Sequence, residues 1–159
     1  MLTSRHAAAG ALLSILFASA PIHAQSAAEK LLASIKNLKC SFSVSSAGSW
    51  DKGEAAGRLR MGPVLSFSYS EIDPAGSTAN VAGLASSGHV VVQLMGANMH
   101  FLEMRNTGSL MLTTVFGQES KNKRLKAVYT RADYLPVSVP GFENTPEVSQ
   151  HYGECEIVP

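Results

Sequence analysis

Two segments of this chain alternate strictly between apolar and polar residues, and this pattern constrains the fold more than any other feature. Every second residue of 38–44 is apolar and the others are lysine or serine, and residues 65–70 repeat the pattern with three serines. A period of two predicts a β-strand with one buried face. Further strands are predicted over residues 56–61, 78–83, 89–95, 100–104, 110–116, 125–131 and 148–156, the last as an edge strand.

Short segments rich in glycine, serine, asparagine and proline separate the predicted strands. Turns are predicted at residues 48–53 and 73–76, Gly62-Pro63 is predicted to end the second strand, and the three prolines of 136–146 predict an irregular segment. Strands at this spacing are typical of antiparallel sandwiches and barrels. The predicted fold class is therefore all-β: a small antiparallel up-and-down barrel or barrel-like sandwich of about seven to nine strands with a short N-terminal helix.

The N-terminal helix is predicted from a capping box. Ser26 can accept a hydrogen bond from the amide of Glu29, whose carboxylate can reach back to the serine amide. The helix is expected over residues 27–36. Its apolar stripe is expected to cover one end of a sheet or barrel and consists of Ala28, Leu31, Leu32 and Ile35.

Residues 1–24 have the order of regions found in a cleavable secretory signal peptide. Arg5 precedes an apolar run of about 14 residues, Pro21 ends that run, and Ala24 places a small residue at the predicted cut. An uncleaved membrane anchor is the alternative, although a helix needs about 20 apolar residues to cross a bilayer. We therefore expect an exported protein, periplasmic or extracellular, with a single β-rich domain over residues 25–159 and no integral membrane segment after processing.

Cys40 and Cys155 are the two cysteines of the chain. Export exposes a protein to oxidising conditions, and an even number of cysteines suits a disulfide. A Cys40–Cys155 disulfide is therefore predicted, and two free, buried thiols are the alternative. Such a bond would tie the first predicted strand to the last, which are neighbours in a barrel.

Charge gives no indication of a nucleic-acid partner. The full chain has 13 Lys and Arg against 12 Asp and Glu, and removal of residues 1–24 takes away only Arg5, which leaves equal numbers. Nucleic-acid binding domains usually carry a marked excess of basic residues. The sequence identifies no protein partner either.

No catalytic motif is recognisable in the chain. The patterns Gly-x-Ser-x-Gly, Gly-x-Gly-x-x-Gly and His-Glu-x-x-His and a Walker-type loop are all absent. We therefore assign no catalytic residue and no cofactor, and we favour a non-catalytic protein. An enzyme remains the third hypothesis, and it requires a cleft that holds a group such as His151 beside Glu154 or Asp133.

One group of soft metal ligands raises a further alternative. Met95, Met99, His100 and Met104 offer thioethers and an imidazole, which suit copper(I). Methionines at strand spacing usually fill a hydrophobic core. The sequence therefore favours Met95 and Met104 as core residues, and no metal site is predicted.

Two short motifs resemble those of lipocalins. Gly48-Ser49-Trp50 resembles the glycine-x-tryptophan motif near the start of that family, and residues 130–134 resemble its later Thr-Asp-Tyr loop with two residues inserted. The resemblance implies a barrel shape alone. The expected arginine on the last strand has no clear match, and Trp50 is expected in a turn, where it would cover an end of the core.

Two functions of different class follow from this fold. An eight-stranded barrel is filled by its own side chains or holds one small ligand. The first function is non-catalytic binding of a small apolar or amphipathic ligand, and the alternative is a structural or interaction module of the bacterial envelope with a solid core. The residues expected to point inward are Phe42, Leu59, Leu65, Phe67, Tyr69, Met95, Phe101, Leu112 and Phe116, and six of them are the predicted ligand-binding residues: Phe42, Phe67, Tyr69, Met95, Phe101 and Phe116.

Overall fold

A computed structural model describes residues 26–51, 54–83, 88–106, 108–134 and 146–159 of the protein. The predicted signal peptide and most of the predicted irregular segment lie outside the described residues. The elements, in chain order, are α1 (Ala27–Ser34), β1 (Leu38–Asp51), β2 (Glu54–Asp73), β3 (Thr78–Ala82), β4 (Gly88–Met95), β5 (Asn98–Met104), β6 (Leu110–Glu119), β7 (Leu125–Tyr134) and β8 (Pro146–Ile157).

The strands form a closed antiparallel barrel in sequence order. Each strand pairs with the next one along the chain, and β8 pairs with β1. The prediction of a small up-and-down barrel is therefore confirmed. The prediction of β8 as an edge strand is wrong, because β1 and β7 flank it on its two sides.

The predicted disulfide is confirmed, and it lies where the barrel closes. Cys40 of β1 and Cys155 of β8 are directly opposite each other in the ladder and form a disulfide. Both residues are completely buried. The bond thus joins the first strand to the last near the end of the barrel where β1 begins and β8 ends.

Helix α1 covers that end. The Ser26 side chain accepts a hydrogen bond from the Glu29 amide over 3.1 Å, as the capping box predicts, and the helix ends at Ser34, two residues before the predicted end. Leu32 and Ile35 are buried in the core. The helix packs closely against β6. A Cβ atom added at Gly117 would come within 2.7 Å of the Ala28 Cβ, so only glycine allows this approach.

Aromatic side chains fill much of the interior. The rings of Tyr69 and Phe101 stack with centroids 3.8 Å apart, and Phe67 contacts the rings of Phe42 and Tyr129. The Tyr69 hydroxyl donates a buried hydrogen bond of 2.7 Å to Thr113 Oγ1. Burial raises the pKa of Tyr69 well above its ordinary value. This part of the barrel is a packed core, as expected for an eight-stranded barrel filled by side chains.

The first two strands are longer than the sequence predicts. The turn predicted at residues 48–53 is wrong for Gly48 to Asp51, which belong to β1, while 52–53 lie outside the described residues. The end predicted at Gly62-Pro63 is also wrong, since β2 runs through both residues. Proline is tolerated there because the β1–β2 ladder is interrupted at this point.

This interruption also explains an error in the predicted facing of side chains. Leu59 was expected inside the barrel but is 73% exposed, and Met61, two residues further along β2, is 78% exposed. Leu65 contacts the core, and Met61 would share its face if the strand were regular. The irregularity between these two residues reverses the alternation, so the earlier half of β2 turns its larger apolar side chains outward.

Candidate functional site

The structure brings four of the six predicted ligand-binding residues together. Phe42, Phe67, Tyr69 and Phe101 are buried in the core. The other two, Met95 and Phe116, lie on the outer face: Met95 is 63% exposed, and Phe116 directly follows a fully buried valine. Leu112, also expected inside, lies on the outer face in the same way, between the buried residues Met111 and Thr113.

The interruption of the β1–β2 ladder defines the candidate site. Phe42 pairs with Leu65 and Val44 pairs with Met61, so one residue of β1, Ser43, faces three residues of β2. The β1–β8 ladder also skips Ser43, because Phe42 pairs with Gly153 and Val44 with Tyr152. Ser43 is therefore an extra, bulged residue of β1 with respect to β8, whereas on its other side β2 carries two extra residues with respect to β1.

A cleft of about 460 Å³ lies at this bulge. Phe42 and Leu65 reach it from the core, Met61 and Val64 reach it from the outer surface, and His151 contributes an imidazole. The cleft is thus lined from both faces of the sheet, at the point where the wall of the barrel is interrupted. The full lining is Phe42, Ser43, Val44, Ser45, Met61, Gly62, Pro63, Val64, Leu65 and His151.

His151 gives the cleft a neutral polar group. Partial burial lowers the pKa of His151 below its ordinary value of 6.5, and the nearby positive charge of Arg131 lowers the pKa further. The imidazole is therefore uncharged at neutral pH and offers one donor and one acceptor. Its ring lies beside the Tyr129 ring, with centroids 5.6 Å apart. Burial raises the pKa of Tyr129, which keeps this hydroxyl protonated too.

Beyond His151, the barrel end opposite α1 is lined by charged residues. Glu103 and Arg105 of β5 form an ion pair of 3.1 Å, and Arg131 and Asp133 of β7 form a second one. Glu103 and Asp133 are mostly buried, and both lie on the same face as the core residues of their strands. The Asp133 Oδ1 atom is buried and has no hydrogen-bond partner among the described residues. The interior therefore changes from aromatic to charged along its length.

The sequence reasoning missed this charged end. A signal was present in the sequence. In both β5 and β7, the apolar residues at every second position are followed, in the same alternation, by two oppositely charged residues that form the ion pair. His151 was considered only as part of a catalytic pair. The structure separates it from Glu154, which lies on the opposite face of β8 and accepts hydrogen bonds from Asn122. Asp133 shares the inner face with His151, with Arg131 placed between them in the ladder.

The methionine and histidine group is not brought together. Met99 is completely buried, whereas Met95 and Met104 are exposed on the outer surface, so the prediction that both of these fill the core is wrong. His100 lies on the outer face too and is within 3.0 Å of Thr114 Oγ1. Among the described residues, no group of three or more His, Cys, Asp and Glu side chains could hold a metal ion.

Trp50 also differs from its predicted place. It lies within β1 rather than in a turn and is 50% exposed, so it does not cover an end of the core. No helix in the described part of the chain is both long and apolar enough to cross a membrane. No protein-family model, curated protein or solved structure matches this chain.

Proposed function

We propose that this protein is an exported, non-catalytic binding protein for a small amphipathic ligand, which it holds in the cleft at the Ser43 bulge. The observation that carries the proposal is the lining of that cleft, where core and surface apolar side chains meet the neutral imidazole of His151. Ligand sites are typically concave and mostly apolar, with a few polar groups that fix orientation.

The size of the cleft suits a small ligand. Its volume of about 460 Å³ falls within the range of roughly 300–1,000 Å³ that is common for ligand sites. The adjoining core is filled by stacked aromatic rings. This packing supports a ligand position at the wall of the barrel rather than in its centre.

The polarity of the surroundings gives the ligand an orientation. Its apolar part would contact Met61, Val64 and Leu65. Its polar part would be directed to His151 and, beyond it, to the charged end of the barrel with the open acceptor at Asp133 Oδ1. A purely apolar ligand would offer no partner to the buried Asp133 Oδ1 atom, which disfavours it.

Export is supported by two independent features. Residues 1–24 have the sequence pattern of a secretory signal peptide. The buried Cys40–Cys155 disulfide is of the kind that persists in oxidising compartments.

A glycine in the lining allows a direct test. A Cβ atom at Gly62 would meet no atom within 4 Å, and the same holds for Gly88 at the start of β4, outside the lining of the cleft. Gly62→Leu therefore adds a side chain to the cleft without a backbone clash, and Gly88→Leu is the matched control. The probe is an anilinonaphthalene sulfonate dye, which combines an aromatic body with an anionic group.

We expect the dye to bind the folded, oxidised protein with one-to-one stoichiometry in a fluorescence titration. Gly62→Leu should weaken binding at least about tenfold, which corresponds to about 1.4 kcal/mol, while Gly88→Leu should bind like the wild type. Thermal unfolding of all three proteins verifies that they are folded. Equal binding by the two variants, or no binding by the wild type, would refute the proposed site.

A further inference from the structure

The methionines of the described chain fall into two groups by exposure. Met99 and Met111 are buried in the core, whereas Met61, Met95 and Met104 are 78%, 63% and 78% exposed. Peroxides convert methionine to methionine sulfoxide, and the oxidant must reach the sulfur atom. The three exposed thioethers are therefore open to oxidation, and the two buried ones are shielded.

Met61 differs from the other two exposed methionines in its position. It lines the cleft at the Ser43 bulge together with Val64 and Leu65. The other two lie on β4 and β5, outside the lining of this cleft. The irregularity in β2 turns Met61 outward, so its sulfur atom is accessible to a small oxidant and also belongs to the surface that the apolar part of a ligand would cover.

Hydrogen peroxide can oxidise this thioether in a balanced two-electron reaction. A lone pair of the Met61 sulfur attacks one peroxide oxygen, a sulfur–oxygen bond forms and the oxygen–oxygen bond breaks. The departing oxygen takes the proton of the transferred oxygen and leaves as water, so the sulfur loses two electrons and the peroxide gains two. Both cysteines of the chain are already joined in the buried disulfide, so no thiol of the protein competes for the oxidant.

Oxidation changes the chemical character of this part of the cleft. A sulfoxide is a polar, chiral group in place of a flexible apolar one. A ligand whose apolar part covers the sulfoxide oxygen removes the water that solvates it, and a buried polar group without a hydrogen-bond partner costs free energy. The oxidised cleft should therefore bind an amphipathic ligand more weakly, while the core, whose methionines are buried, is left unchanged.

We propose that Met61 is an oxidation site, at which a peroxide lowers the affinity of the cleft for its ligand. This inference rests on the proposed function, because it concerns the same cleft, and it adds a modification that weakens ligand binding. Thiol-dependent enzymatic reduction of the sulfoxide restores the thioether, so the change is reversible.

Dye titration before and after peroxide treatment tests the effect on binding. The folded, disulfide-bonded chain is treated with hydrogen peroxide, the sulfoxides are located by peptide-mapping mass spectrometry, and binding of the anilinonaphthalene sulfonate dye is measured by fluorescence. We expect dye binding to weaken about tenfold once Met61 is converted to the sulfoxide. Thermal unfolding before and after treatment verifies that the chain stays folded.

Two variants assign the effect to one sulfur atom, each compared with itself before and after treatment. Met104→Leu is the matched control, since Met104 has the same exposed fraction as Met61 but lies outside the cleft. This variant should show the same weakening of dye binding as the wild type. Met61→Leu should show no weakening, because the reactive sulfur atom of the cleft is absent.

Protection by bound dye gives a second measurement. Saturating dye should slow sulfoxide formation at Met61 but not at Met104. Equal oxidation rates at Met61 with and without dye would overturn the inference, as would dye binding that survives complete oxidation of Met61 or that weakens equally in Met61→Leu. Absence of dye binding to the untreated chain would instead refute the proposed function and this inference with it, so the two failures are distinguishable.

Discussion

Opening the disulfide is the perturbation whose effect the structure determines best. Cys40 and Cys155 are 115 residues apart, so their bond closes nearly all of the described chain into one loop. In the chain-entropy model, a loop of this length lowers the entropy of the unfolded state enough to stabilise the fold by about 5 kcal/mol. Removal of native disulfides from small secreted domains typically costs about 2–5 kcal/mol.

The folded barrel itself should change little when the bond is removed. The β1–β8 ladder runs from Leu38–Ile157 to Gly48–Val148, so backbone pairing holds the two strands together on both sides of the disulfide. The loss therefore falls mainly on the unfolded state, which gains conformational freedom. Because small domains are stable by only about 5–15 kcal/mol, a loss of 4–5 kcal/mol should be easily measurable.

The experiment compares urea unfolding of the oxidised protein with that of the Cys40→Ala/Cys155→Ala variant, followed by far-ultraviolet circular dichroism. We expect the free energy of unfolding to fall by about 4–5 kcal/mol and the m-value to rise, because the unlinked chain exposes more surface when it unfolds. The reduced wild-type protein is the control, since it loses the bond but keeps both sulfur atoms. A loss below about 1 kcal/mol with an unchanged m-value would refute the argument from the unfolded state.

Two further predictions concern the packed interior. Gly153→Ala should destabilise the fold by about 3 kcal/mol, because the new Cβ would overlap the Ser41 carbonyl oxygen and lie 2.7 Å from the Phe42 Cα; thermal unfolding should show this loss, and Gly62→Ala should be nearly neutral. Stability should fall as the pH rises above about 10, because burial raises the folded-state pKa of Tyr69 above its unfolded value, so that unfolding releases a proton there. Urea unfolding on both sides of this pH should show a smaller fall for Tyr69→Phe, and an equal fall would contradict the assignment.

Local sequence patterns predicted the barrel because its strands alternate with turns in sequence order. The alternation gave the inner face correctly for residues 38–42 of β1 and 65–70 of β2, but not for Val44, which lies on the outer face. The disulfide was predictable from the expected oxidising compartment and the even number of cysteines alone. In a meander, each strand pairs with its sequence neighbour, so local reasoning is sufficient for the topology.

Which side chains point into the barrel could not be predicted where both faces of a strand are apolar. In β4, Val90 and Val92 are buried while Val91 is exposed, and the run of three valines does not indicate which parity points inward. The same ambiguity misplaced Met95, Leu112 and Phe116. Only the pairing with neighbouring strands decides the facing of such a segment, and pairing is a long-range property.

The cleft was beyond local reasoning for a related reason. A bulge at Ser43 is defined by the residues that β2 and β8 place opposite it, and these are distant in sequence. No residue type at the bulge predicts it, since serine is common throughout this strand.

The irregularities at Ser43 of β1 and in the facing part of β2 lie between the packed core and the proposed ligand site. Before it, β1 directs Cys40 and Phe42 inward; after it, pairing with His151 places Ser45 on the inner face and leaves Val44 outside. Without the extra residue, Val44 would face the interior and the next inner positions would be reversed. The irregularity in β2 turns Leu59 and Met61 onto the outer face of the barrel. The extra residue of β1 and those of β2 therefore together end the aromatic core and open the cleft beside His151.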